Sequence, residues 1–158
     1  MKLISNQQEK LVFRCSHNEA SLLLHLVDLF PLVPLAHHRL SRTPGGIPEP
    51  EENQQLLEDS LKAERREKMN WIKSLIGEKS RFRPLKEAVH FTVTREEFET
   101  LLQVLNDVRV GSWLTLGSPE LGQEEKLVLQ PENVVHVHRM ELAGLLQMTF
   151  LKAIQKES

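Results

Sequence analysis

The chain has 158 residues, 40% of them hydrophobic and 27% charged, with a formal net charge of −2 at neutral pH. That composition suits one folded domain with a core of its own and excludes a disordered chain. The small charge leaves no electrostatic footprint for nucleic acid, and the longest apolar stretch, Ser21 to Ala36, is interrupted by His25, Asp28, Pro31 and Pro34, so no membrane span is expected.

Cys15 is the single cysteine and has no partner for an internal bridge. The opening residues lack the pattern of a secretory signal, so a reducing cytoplasm is the expected compartment, and residues 1–158 are expected to fold as a single domain.

In chain order, Lys2-Leu3-Ile4-Ser5 and the run from Lys10 to Cys15 flank the polar Asn6-Gln7-Gln8-Glu9, which predicts a β-hairpin. Ser16 and Glu19 then stand at capping-box spacing before an apolar run. They open a first helix whose buried face is Leu23, Leu26, Val27 and Phe30, and Pro31 and Pro34 end it. The stretch from Ser41 to Glu52 holds three prolines and two glycines and predicts a flexible surface loop. A long helix is expected from about Asn53 to Ile76, with Leu57, Leu61, Ile72 and Leu75 on one side, a charged block from Lys62 to Lys68, and Gly77 as its stop.

The basic segment Lys79 to Lys86 is expected as a loop, followed by a strand over Ala88 to Val93 that is free to join the hairpin. Thr94 and Glu97 form a second capping box, which opens a helix from Arg95 to about Thr115. Pro131 suits the first turn of a last helix carrying Leu142, Leu145, Leu146 and Ala153. Its beginning, Val134-Val135-His136-Val137-His138, fits a strand as well. The fold class is therefore α+β and predominantly α-helical: about four helices with a small sheet made of the N-terminal hairpin and one further strand.

One residue breaks the pattern. With Phe98 as reference and about 100° per residue, Leu102, Leu105, Ser112 and Leu116 fall within about 40° of it, and Arg109 falls among them at about 20°. Asn106 lies at the rim and Asp107 on the opposite side, which reads as the solvent face. An arginine aimed into a buried face needs a partner, because an unpaired buried charge is costly. Glu141 at the edge of the last helix is the first internal partner to test; a carboxylate or phosphate from a ligand or partner protein is the alternative.

The seven histidines include His136 and His138, which share a face only in a strand; in a helix, His138 reads as a core residue. No third ligand stands at a recognisable spacing, so no metal and no cofactor is expected. Lys79 to Arg83, with Arg65-Arg66, read as solvated surface, and Trp71 and Trp113 as packing residues. Nucleophile elbow, P-loop, dinucleotide-binding glycines and zinc-protease helix are all missing, and the inventory of acids and nucleophiles is thin.

Thr94-Arg95-Glu96-Glu97 running into Leu105-Asn106-Asp107-Val108-Arg109-Val110 resembles the capped helix of the bacterial domain of unknown function 2017 family. Leu142 to Ile154 is similar to that family's closing helix and Ser16 to Leu24 to its first, so the resemblance covers about two thirds of the chain. Gly111-Ser112-Trp113 and the loop at 41–52 depart from the family pattern. The resemblance implies a fold and the prominence of Asn106 and Arg109. The family's genes are described beside that of the adaptor for the Clp protease, which implies a link to protein quality control.

Two functions are therefore weighed. The first is a non-enzymatic cytoplasmic module that binds another protein or a second copy of itself, with no nucleic acid or membrane as partner. The second is a small-molecule or metal-binding protein with a pocket around Arg109, Asn106 and His138.

Overall fold

The computed structural model describes residues 1–7, 9–35, 51–120, 127 and 130–155. Strand β1 (Lys2–Gln7) and strand β2 (Lys10–Cys15) form the N-terminal hairpin, and helices α1 (His17–Asp28) and α2 (Glu51–Gly77) follow. One 3-10 turn (Lys79–Arg81) leads into β3 (Phe82–Pro84) and β4 (Val89–Thr94), and the chain ends with α3 (Arg95–Thr115) and α4 (Pro131–Gln155). The fold is α+β and predominantly helical, as the apolar periodicities imply.

Period-two burial builds the sheet. Leu11, Phe13 and Cys15 of β2 and Val89, Phe91 and Val93 of β4 point to the core, while the residues between them face outward. The strands lie in the order β1-β2-β4-β3, every pair antiparallel, with a register irregularity in β1 between Leu3 and Ser5. Phe13 and Phe91 stand opposite each other in register, and Phe82 faces Phe91 from the other side. Five of the six phenylalanines then stack in one cluster. Phe150 of α4 meets Phe13 edge-on at 5.0 Å between ring centroids, Phe98 of α3 lies 5.5 Å from Phe13, and Phe82 lies 4.7 Å from Phe91.

Both capping boxes form. Ser16 Oγ accepts from Glu19 N at 3.1 Å while Glu19 Oε2 accepts from Ser16 N at 2.7 Å. Thr94 and Glu97 repeat the exchange at 3.1 and 2.8 Å, and α3 starts and stops where its cap and apolar spacing place it.

Two segments differ from their sequence reading. Helix α2 begins at Glu51, so the end of the expected loop is helical, its acidic residues suiting the positive end of the helix dipole; residues 41–50 of that loop lie outside the described residues. Part of the basic segment becomes the short strand β3, held by Phe82 against Phe91. Residues 134–138, open in sequence between helix and strand, are helical throughout, with Val137 buried.

Candidate functional site

The motif Asn106-Asp107-Val108-Arg109 divides between two sides of α3. The helix buries Phe98, Leu101, Val104, Leu105, Val108, Gly111 and Ser112. That arc centres about 65° from Phe98, which leaves Arg109 about 85° from its middle. Arg109 is therefore exposed, contrary to the expectation that it points into the core. Asp107, expected on the solvent face, is half-buried instead.

What covers Asp107 is the segment after α1. Asp107 Oδ1 accepts from Leu32 N at 2.6 Å and from Val33 N at 3.3 Å. One turn later Gly111 lets the same segment approach: a Cβ placed there would meet Leu32 Cβ at 2.3 Å and the Leu32 carbonyl carbon at 2.7 Å. From the other side, Arg65 of α2 donates to Val33 O at 2.7 Å. The segment interrupted by Pro31 and Pro34 thus obtains its hydrogen bonds from two charged side chains, since no regular element supplies them. The carbonyl acceptor for Arg65 and the amide donors for Asp107 belong to the same two residues.

Beside this clamp a cleft of 390 Å³ opens between α2 and α3, bordered by Leu61, Lys68, Gln103 and Asn106. Its charges are already engaged: Arg65 and Asp107 in the clamp, and Lys68 in an ion pair with Glu64. A second joint links the end of α2 to the start of α3. Arg81 pairs with Glu97 at 2.7 Å and with Glu78, and Trp71 Nε1 donates to Glu97 at 3.4 Å. The hydrogen bond from Arg81, helped by the Thr94 amide, holds the Glu97 carboxyl down at about 2. This group is a tether and not a proton donor poised for chemistry.

On the far side of α3, a groove of 570 Å³ runs between α3 and α4 and has a different character. Trp113 and Val110 form one wall, Met140, Leu145 and Met148 the other. Trp113 Nε1 donates to Pro119 O at 3.0 Å, which fixes the indole as a wall. Gly144 forms the floor, where an added Cβ would lie 3.5 Å from Arg109 Cδ, so the aliphatic stem of Arg109 packs over the glycine. Arg109 NH2 donates to Asn106 Oδ1 at 3.1 Å. A neighbouring groove of 480 Å³ shares Arg109, Gly144 and Met148 and continues toward Leu151 and Lys152.

Of the four candidate residues, Arg109 and Glu141 both line the larger groove, and Asn106 orients Arg109 from its edge. Among the described residues no ion pair joins Arg109 to Glu141, so Glu141 is not the internal partner expected; Arg109, already in water, needs none. His138 is exposed on α4 and does not line the groove, so it is not the core residue its helical position implied.

Sequence reasoning missed the outer face of α4. Its inner face buries Ala143, Leu146, Phe150 and Ala153 against the core, yet Leu145, Met148 and Leu151 on the opposite side are 56%, 51% and 46% exposed. The helix is apolar on two opposite sides, and the signal lay in the unbroken apolar run from Leu142 to Leu146 followed by Met148 and Leu151.

Burial, and then the nearby Glu19 charge, push the Cys15 thiol up to about 12, which keeps it protonated at neutral pH. Among the described residues no group of three or more His, Cys, Asp or Glu side chains is placed to hold a metal ion, and no helix is long and apolar enough to cross a membrane. Comparison of the chain with protein-family models, curated proteins and solved structures finds no match.

Proposed function

We propose that this chain is a non-enzymatic protein-interaction module that docks a protein on the outer face of α4 and the groove beside it. The observation that carries the reading is the second apolar face of α4. A helix that is apolar on opposite sides is stable in water when both are covered, and the core covers only one. The groove adds what an interface centre needs: an indole wall, two methionines that adapt to a partner's shape, and an oriented arginine at the rim. The resemblance to the domain of unknown function 2017 family adds protein quality control as the setting, through the adaptor of the Clp protease.

The test is affinity capture from native lysate with two baits in parallel, wild type and the Leu145→Asp/Met148→Asp double variant. Both positions are exposed, so the variant should unfold at nearly the wild-type temperature. At least one protein, the chain itself included, should be retained by wild type and lost by the variant. An identical retained set from both baits would overturn the reading.

A further inference from the structure

We propose that the occupant of the outer face of α4 is the same face of a second copy, packed antiparallel about a two-fold axis between Leu145 and Met148; this rests on the interaction reading above and names its partner. The argument comes from charge placement. At about 100° per residue, Glu141, Leu145, Met148 and Lys152 fall within about 60° of one another, forming a single stripe of three helical turns. An acid stands at its N-terminal end, a base at its C-terminal end, and the two exposed apolar side chains lie between them. Among the described residues neither Glu141 nor Lys152 has an ion-pair partner.

That arrangement is complementary to its own reverse. In an antiparallel pair centred between Leu145 and Met148, Leu145 meets Met148 of the second copy, and Glu141 meets its Lys152 at both ends. Each contact occurs twice, as an isologous interface requires. A parallel pair would set Glu141 against Glu141 and Lys152 against Lys152, which like-charge repulsion disfavours. Leu151 and Trp113 extend the apolar contact beyond the stripe.

Sedimentation equilibrium on the purified full chain tests this, with far-UV circular dichroism and thermal unfolding as controls for the fold. The wild type should form a dimer with micromolar affinity. Glu141→Lys alone and Lys152→Glu alone should each weaken the dimer at least about tenfold, because each places like charges at both ends of the antiparallel pair. The doubly reversed variant should restore it. In a parallel pair the single reversals leave like charges facing like charges and change nothing.

A wild type that stays monomeric up to about 100 µM overturns the dimer. So does a dimer indifferent to the single reversals, or one that the double reversal does not rescue. Failure here is distinguishable from failure of the interaction reading. A monomer that still captures a protein sensitive to Leu145→Asp/Met148→Asp keeps the docking face and loses the second copy; a monomer whose captures ignore that variant loses both.

Discussion

Helices α2 and α3 are both long and have opposite roles in the fold. Helix α2 runs for 27 residues and buries only Ile72 and Leu75, both in its last turns. Helix α3 runs for 21 and buries seven. The inward stripe of α2 begins with Leu57 and Leu61 and then turns cationic at Arg65 and Lys68 before the apolar end. Helix α2 is accordingly held by polar fastenings, Arg65 on the Val33 carbonyl and Trp71 and Arg81 at Glu97. Length in a helix is thus no measure of its share in the core; the share depends on how many of its turns find apolar partners.

The sharpest way to break the contrast is to truncate one leucine in each helix. Leu101→Ala, in α3 and fully buried, should cost about 2 to 5 kcal/mol in denaturant unfolding, from lost burial and the cavity left behind. Asp107→Ala should cost about 1 to 3 kcal/mol, since it leaves the Leu32 and Val33 amides without their acceptor, and hydrogen exchange at those two amides should accelerate. An unchanged exchange rate there would remove the clamp from the account.

Glu97→Gln probes the joint between the helices and should cost under about 1 kcal/mol at neutral pH, because the Arg81 pair is partly solvated. Its pH dependence has a definite sign. The Glu97 carboxyl sits at about 2 in the folded chain, below the ordinary 4.5, so the stabilisation is fully present above about 4.5 and fades as pH falls toward 2. The wild-type advantage over Glu97→Gln should therefore shrink across that window in equilibrium unfolding and stay flat above it. The smallest effect belongs to α2: Leu56→Ala, 68% exposed, should change stability by less than about 0.5 kcal/mol. A loss near that of Leu101→Ala would erase the comparison.

Local signals were the legible ones. Ser16 with Glu19 and Thr94 with Glu97 satisfy helix amides within four residues, so their effect is readable without knowing the fold. The hairpin and β4 were equally plain, because alternation and β-branched residues lie within each strand. Long-range choices were not legible. Whether Asp107 or Arg109 would be covered depended on which flank of α3 the segment after α1 came to occupy, and a helical wheel drawn from Phe98 alone placed the buried arc too far toward Arg109. Strand β3 escaped notice because three residues ending in a proline carry almost no pattern; its pairing comes from Phe82 meeting Phe91. The α3–α4 groove was half legible. Arg109 and Glu141 both stood out in the sequence, but the Trp113 wall and the Gly144 floor follow only from the packing of the two helices.

The sheet has two edges, and both are poor templates for another strand. On one side β3 offers three residues, with Pro84 lacking an amide hydrogen and Arg83 exposed. On the other, the irregularity between Leu3 and Ser5 interrupts the ladder of β1, and Lys2 adds charge. Edge-to-edge growth into extended β-aggregates is disfavoured on both flanks. A chain that exposes an apolar helical face thus keeps its sheet edges from becoming a second, open-ended route of association.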